Sequence, residues 1–472
     1  MRNSFFSPSS LRFLACVALM MISRNASAEP QNVLFIILDD LRADVLGCYG
    51  DTVTRSPHLD QLASEGLRFD NAYCQGTWCL PSRRAMMRSQ YVRKDGPTLG
   101  ETLRAAGHTS VRVSKIFHMR VPGDIVDGTD GPDVEACWDQ RFNSPGPEFN
   151  TPGDYACLNL NVFTREIPGR QGTGMPHRPY VTVKSDGDGV EQSDYKTATK
   201  AIELLREFRD QSFFLAVGLV RPHYPMVAPA ELFEHYPHEE VMLPETWQQD
   251  LSGIPKAGLA GSRSDKIGID KFPDNQKRMW SGYRASVEFA DQQVGRILNE
   301  LQSLGLDDQT NVIFTSDHGY HLADHTFWQK ANLHEPVARV PLVIRTPKHR
   351  KLGQRSSRSL VELIDLYPTV CDLMEVETPE HCQGMSLLPV LENPEHTVRK
   401  AALTVHERGK SRQLLLRTDR YAYMKYQDGS EELYDMQADP LQVTNLANSE
   451  SHQDVKSKLS EQLKELREQH QL

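Results

Sequence analysis

Long apolar runs are scarce in this sequence. The longest, residues 13–22, is ten residues and lies near the N-terminus, about half of what a bilayer core requires. A multi-span membrane protein is excluded. Blocks of basic residues and aromatic-basic repeats are also missing, and 53 Lys plus Arg face 63 Asp plus Glu for a net charge of -10, which argues against nucleic acid as a partner. Internal repeats and low-complexity tracts are absent, so neither a solenoid nor a disordered chain is written here. What is present fits a water-soluble globular protein: 39% hydrophobic and 25% charged residues over 472 positions, too long for one compact core and suited to two or three folding units.

Arg2 and Arg12 precede the apolar run, and Ala26-Ser27-Ala28 follows it, the order of a signal peptide cut after Ala28. Export with no stable membrane association is the expectation. Cleavage removes three Arg and no acid, so the remaining chain is more acidic still. It also removes Cys16 and leaves seven cysteines, and an odd number in an exported chain points to one thiol with a separate task. Cys79 is the candidate. Cys371 with Cys382, and Cys137 with Cys157, are candidate bridges in an oxidising compartment, while Cys48 and Cys74 pair or stay free.

Residues 32–38 (NVLFIIL) read as a strand buried on both faces. Helical patterns then alternate with strand patterns: helix 97–106 into strand 109–113, helix 195–209 into strand 213–220, and helix 285–304 into strand 311–315. This alternation predicts an α/β fold, a mainly parallel central sheet between helices, with a further helix at 361–374 on one face. Segments 119–190 and 237–275 are rich in Pro, Gly and Asp without clean periodicity and read as lids or rims. Beyond Pro394 come strand candidates 402–407, 413–417 and 421–426, then a helix with Val455, Leu459, Leu463 and Leu466 on one stripe. The division expected is a signal peptide at 1–28, a large domain at 29–394 and a small α+β domain at 395–472.

In open α/β sheets ligands sit beyond the carboxyl ends of the strands. Here four strands each deliver ionisable groups to that edge: Asp39-Asp40; Lys115 and His118; Arg221, His223 and Tyr224; Asp317-His318. Adjacent carboxylates repel unless a cation lies between them. Asp39, Asp40 and Asp317 make an oxygen-rich set that suits a hard cation, Ca²⁺ or Mg²⁺, and His318 adds a nitrogen donor. Cys79-Leu80-Pro81-Ser82-Arg83 places a thiol just ahead of a Pro that fits the first turn of a helix, where the positive helix end favours a developing anion.

These residues resemble the type I, formylglycine-dependent sulfatases of the alkaline phosphatase superfamily, and within them the iduronate-2-sulfatase branch. The resemblance spans nearly the whole exported chain: NVLFIILDDLRADVLGCYGD at 32–51, CLPSR at 79–83, SKIFH at 114–118, RPHYP at 221–225, YRASVEFADQQVGRIL at 283–298, TSDHGYHLADH at 315–325 and ELYDMQADPLQVTNLA at 432–447. It implies an alkaline-phosphatase-like fold and a Cys79 oxidised to formylglycine by a formylglycine-generating enzyme. One hydroxyl of the aldehyde hydrate then attacks sulfur and the other expels sulfate. It further implies one Ca²⁺ held by Asp39, Asp40, Asp317 and His318 and touching residue 79, with Arg83 supporting the hydrate. Lys115, His118, His223 and Lys330 would line the sulfate, His118 as base and His223 or Lys330 as the acid for the leaving alcohol. Lys330 is placed by the preceding Phe327-Trp328-Gln329. After CLPSR the family's Leu-Thr-Gly step is absent, and Arg84-Ala85-Met86-Met87-Arg88-Ser89 stands there instead.

The function this implies is removal of sulfate from a sulfated saccharide, a uronate 2-sulfate in glycosaminoglycan or algal polysaccharide fragments. Arg83, Lys115, Arg221 and Lys330 are expected to form a basic funnel that draws polyanions against the chain's overall negative field. Two alternatives carry different signatures: a phosphate mono- or diester hydrolase of the same superfamily, and a catalytically silent sulfated-glycan-binding protein if Cys79 is never modified.

Overall fold

The computed structural model describes residue 1 and residues 32–92, 95–172, 174, 177–408 and 411–472. The segment read as a signal peptide, with Cys16 and the cleavage point, lies outside the described residues apart from residue 1. Strand Asn32–Asp39 is buried along its whole length, and alternation explains the use of an unbroken apolar run. Leu34, Ile36 and Leu38 enter one core with helices Ser193–Glu207 and Pro273–Ser303. Val33, Phe35 and Ile37 enter another with helices Cys79–Arg88, Leu99–Ala105 and Leu366–Leu373. Each such side chain contributes about 1.5–3 kcal/mol relative to exposure. Two cores on opposite faces make a helix-sheet-helix sandwich.

The sheet has eight strands, in spatial order Arg355–Glu362, Leu67–Tyr73, Arg339–Arg345, Thr310–Ser316, Asn32–Asp39, Phe213–Pro222, Thr109–Ser114 and Gln140–Phe142. It is α/β and mainly parallel, as the sequence predicts, with Arg339–Arg345 antiparallel to both of its neighbours. Beside the site, strand Phe213–Pro222 comes so near its neighbour that a Cβ on Gly218 would stand 2.1 Å from the carbonyl oxygen of Lys115. Only glycine fits that contact.

Several expectations change. Residues 361–374 are not one helix: Val361 and Glu362 finish an edge strand paired with Ala72 and Tyr73, and the helix begins at Leu366 after the turn Leu363–Asp365. Helix Pro273–Ser303 starts at a Pro in its first turn, twelve residues ahead of the predicted 285. Segment 119–190 holds regular structure that its composition hides: among its described residues it gives Gln140–Phe142 to the large sheet, and Gly153–Cys157, Val162–Thr164 and Val181–Ser185 to a second sheet with Met226–Pro229. Near the C-terminus, Ala401–Arg408, Ser411–Thr418, Tyr421–Lys425 and an unforeseen Glu431–Asp435 form an antiparallel meander. Helix Gln453–His470 covers it with Leu459 and Leu463.

No disulfide forms among the described residues, and Cys48, Cys74, Cys79, Cys137, Cys157, Cys371 and Cys382 are all free thiols. The expected Cys137–Cys157 bridge fails because the two sulfurs are sealed in different apolar clusters, Cys137 under the large sheet and Cys157 in the second. Cys371 and Cys382 share one cluster without bonding. Among the described residues, no helix is long and apolar enough to cross a membrane.

Candidate active site

The parallel register sets Leu38 beside Ser316, so the next residue of each strand, Asp39 and Asp317, leaves the sheet at the same level. Side chains within a strand alternate faces, which would separate Asp39 from Asp40. The chain avoids this by turning at once: Asp40 is left-handed, at φ 66°. Tyr283 Oη donates to the Asp40 carbonyl at 2.6 Å and accepts from the Arg42 N–H at 3.1 Å, holding the turn. Ser114, at φ 59°, makes the same kind of exit before Lys115. Such conformations cost non-glycine residues roughly 1–2 kcal/mol each and mark places where the fold imposes a geometry.

Cys79 opens helix Cys79–Arg88 and is 3% exposed. Its Sγ lies 3.4 Å from Asp39 Oδ1, 3.4 Å from His318 Nε2, 3.2 Å from Lys330 Nζ and 3.9 Å from Lys115 Nζ. Lys115 also pairs with Asp39, and Lys330 Nζ donates to Asp40 Oδ1 at 2.6 Å. His223 Nε2 stands 3.8 Å from Asp40 Oδ2. The structure thus brings Asp39, Asp40, Cys79, Lys115, His223, Asp317, His318 and Lys330 into one cluster. His118 borders it, partly buried, with a buried Nδ1 that has no partner among the described residues.

Two of the four funnel cations do other work. Arg83 is wholly buried: its Nε donates to Asp317 Oδ2 at 2.7 Å, its Nη2 lies 3.6 Å from Asp39 Oδ1, and it bonds the carbonyls of Lys115 and Ile116. It holds the carboxylates in place. Arg221 is neutralised by Glu148, with Nη2 at 2.8 Å from both carboxylate oxygens, while its Nη1 donates to the His223 carbonyl at 2.9 Å. Asp194 accepts the backbone N–H of Val220 and of Arg221. Arg221 therefore shapes the RPHYP turn and does not face substrate. Replacing Glu148 by Ala leaves that guanidinium buried and unpaired, so chemical denaturation should show a loss of about 3–5 kcal/mol. A loss below about 1 kcal/mol would show that the pair contributes little.

The electrostatics single out one thiol. Burial pushes Cys48, Cys137 and Cys371 up to about 12 and Cys157 and Cys382 up to about 11, and it raises Cys74 as well. At Cys79, burial and Asp39 push upward, yet Lys115 and Lys330 outweigh them and leave it below an ordinary thiol. Low values of this kind mark reactive cysteines. Burial opposes charge on Asp39, but Lys115, His223 and Arg83 hold its carboxyl well below the usual range. Burial, with Asp39 adding to it, pushes Asp40 up to about 7 despite Lys330. Burial, then Lys330, hold His223 well below an ordinary histidine. Its Nδ1 is 2.7 Å from the Tyr224 carbonyl, which assigns the proton to Nδ1 and leaves a lone pair on Nε2. His118 is lowered to about 4, by burial first and Lys115 second.

The three buried carboxylates lie where side chains could hold a metal ion. The donor atoms of Asp39, Cys79, Asp317 and His318 lie within 4.8 Å of one another, as do those of Asp39, Asp40, Cys79 and His223. Asp40 Oδ2 is buried without a hydrogen-bond partner. A buried carboxylate oxygen with no donor, beside two more carboxylates, fits a hard cation. Of the residues expected from sequence, Asp39, Asp317 and His318 fall in the first group and Asp39 and Asp40 in the second, with Asp39 and Cys79 common to both.

Sequence reasoning missed Glu148 and Arg178, which come from the aperiodic stretch between Met119 and Val190. It also passed over the hydroxyl of Ser89. That residue closes helix Cys79–Arg88 in the left-handed conformation, at φ 51°, where the resemblance places Gly. Ser89 Oγ donates to the Ile364 carbonyl at 2.7 Å and accepts from the Gly384 N–H at 3.0 Å, offsetting the strain. The helix carrying Cys79 ends firmly without the glycine.

Comparison with known proteins agrees with this geometry. The family described as Sulfatase matches residues 31–376, and the family described as N-sulphoglucosamine sulphohydrolase, C-terminal, matches residues 323–469. The chain is 30% identical over 428 residues to iduronate 2-sulfatase of Homo sapiens, covering 78% of this chain and 73% of the relative. Among solved structures, one in complex with its substrate D-glucosamine-2-N,6-O-disulfate superposes with a TM-score of 0.74 at 22% identity, over 94% of this chain and 98% of the other. The phosphonate monoester hydrolase of Agrobacterium radiobacter gives 0.73 at 23% identity, over 93% and 96%. Both likenesses concern the fold.

Proposed function

The chain belongs to the sulfatase family and is a sulfuric ester hydrolase of alkaline-phosphatase-like fold, and from that premise we propose an exported enzyme that removes sulfate from a uronate 2-sulfate, in glycosaminoglycan or algal polysaccharide fragments, with residue 79 matured to formylglycine. The observation that carries the reading is the placement of residue 79 at the start of a helix, between Asp39 on one side and Lys115 and Lys330 on the other. The 30% identity to an iduronate 2-sulfatase supports the substrate class.

Asp39, Asp40, Asp317 and His318 would hold Ca²⁺, which when bound supplies Lewis-acid polarisation of the ester. A formylglycine hydrate supplies a hydroxyl nucleophile together with a second hydroxyl through which sulfate can leave. The remaining work belongs to the chain's own groups. Lys115 and Lys330 offer fixed positive charge where the sulfuryl oxygens gather electron density, stabilisation that needs no reorganisation during reaction. Arg83 fixes Asp39 and Asp317. His118, neutral above about pH 4, is placed to take a proton. Lys330, paired with Asp40 at 2.6 Å, keeps its proton and can donate to the departing alcohol oxygen, while His223 offers Nε2 as an acceptor.

The sign of the pH dependence follows. A base that must be neutral works above its pKa, so activity should persist down to about pH 4 and fall below it as His118 takes up a proton. The limb should vanish in His118→Gln, and a limb near 6.5 that responds to this substitution would refute the assignment. The direct test is sulfate release from a 2-sulfated uronate disaccharide by protein matured in its own host, with mass spectrometry of the peptide containing Cys79. Turnover together with a thiol-to-aldehyde mass loss is the expected result. An unmodified peptide and no turnover would overturn the reading in favour of a silent glycan binder, and hydrolysis of a phosphate ester offered in a parallel assay, with no sulfate released from the disaccharide, would favour the phosphoesterase alternative.

A further inference from the structure

Among the described residues, several deeply buried guanidinium groups are matched to carboxylates, Arg42 to Asp44 and Asp324, Arg83 to Asp317, Arg112 to Asp133, Arg221 to Glu148, and Arg399 to Glu362 and Asp365, while Arg170 is held by the backbone carbonyls of Phe149 and Thr151. Arg178, partly exposed, carries an unpartnered buried Nε at a telling place. It stands on the short turn Arg178–Tyr180 that leads into strand Val181–Ser185. Its Nε is buried with no hydrogen-bond partner, and among the described residues its guanidinium meets no carboxylate. Its Cζ lies 5.8 Å from the centre of the Tyr224 ring. Lys330 Nζ stands 5.6 Å from the centre of that same ring and 3.2 Å from Cys79 Sγ, and the His223 ring packs on it at 4.0 Å. The turn is anchored to the segment that carries Lys330 by Gln329 Nε2, which donates to Tyr180 Oη at 3.1 Å. Arg178, His118 and Lys330 are all partly exposed, whereas Cys79, Lys115, His223 and His318 are buried.

We infer that Arg178 is a specificity residue that binds a second anionic group on the sugar whose sulfate ester is cleaved. The inference rests on the sulfated-sugar reading above. A guanidinium donor stripped of water without an acceptor is costly, and a planar oxyanion restores what it lacks. The fork of N–H groups matches a carboxylate or a sulfate edge-on. Arg178 and Lys330, the cation that reaches Cys79, lie 5.8 and 5.6 Å from the centre of the same Tyr224 ring, near enough to each other to meet two anions of one substrate. A uronate 2-sulfate carries both on a single ring, and a disulfated hexosamine carries two sulfates. Either would engage Arg178, and a substrate with one sulfate and no second charge would not.

The test compares Arg178→Gln and Arg178→Lys with the parent on three substrates: a 2-sulfated uronate disaccharide, a disulfated hexosamine and a singly charged aryl sulfate. Arg178→Gln should raise KM about 10- to 100-fold for whichever sugar supplies the second anion, the worth of one charge-assisted contact. It should leave kcat/KM for the aryl sulfate within about twofold, and Arg178→Lys should recover part of the loss. The uronate arm and the disulfate arm tell carboxylate from sulfate. Equal losses on the aryl sulfate would make Arg178 structural, and no loss on either sugar would overturn the inference. A second measurement does not depend on turnover: calorimetric binding of the same sugars to Cys79→Ser, with and without Arg178→Gln. If the parent cleaves nothing, the proposed function fails, while this binding comparison still decides the role of Arg178.

Discussion

Cys79→Ser is expected to lower sulfate release by about 10⁵-fold, the scale on which removal of a covalent nucleophile is felt, with the thermal midpoint unmoved within about 2 °C. The thiol is small and buried, and in the structure its contacts are electrostatic ones with Asp39, His318, Lys115 and Lys330 and no disulfide. Serine fills nearly the same space, so the fold loses little. The chemistry loses more, because a single hydroxyl offers no second oxygen from which sulfate can be expelled. Stopped-flow and steady-state sulfate assays on the same preparation separate the outcomes. A variant that retains more than about 1% of turnover would remove residue 79 from the reaction.

Asp317→Asn should have the second largest effect, a fall of about 10³-fold in kcat/KM, the order seen when one preorganised charge is lost from a catalytic site. The amide keeps the shape of the side chain but removes the charge that pairs with Arg83 at 2.7 Å and faces Asp39 and His318. The readout that does not involve activity is calcium-dependent stabilisation. A ligand at 100 times its Kd adds about 2.7 kcal/mol to the folded state, which the parent should gain and the variant should lose. Equal stabilisation of both proteins by Ca²⁺ would place the ion elsewhere. Because the substitution also weakens the hold on Arg83, unfolding in chelator should show a separate deficit of several kcal/mol.

The carboxyl edge of the sheet was legible because strands such as Asn32–Asp39 and Phe213–Pro222 are apolar nearly to their ends and ionisable groups follow at once, a contrast that needs no tertiary knowledge to read. The convergence of Asp39 with Asp40 was only half legible. Repulsion demands a cation, but the left-handed turn at Asp40 that aims both carboxylates inward is not written in residue types. Burial was the least visible property. Arg83 and Arg221 read as cations facing a polyanion, and the structure sets both against carboxylates, one of them supplied by Glu148 from a stretch without periodicity. The cysteine pattern misled for the same reason, since spacing around a turn says nothing about which apolar cluster receives each sulfur. Strand Glu431–Asp435 escaped notice because its polar and aromatic residues hide the alternation that its register makes plain.

The segment just ahead of Cys79 is clasped from the far end of the chain: Gly76 bridges Val405, the Thr404 hydroxyl donates to the Cys74 carbonyl, and Thr77 bonds His406 at 2.6 Å. A ribosome delivers those latching residues some three hundred positions after the thiol. Under the proposed maturation, a catalyst that remodels residue 79 would meet it more readily before strand Ala401–Arg408 docks than after.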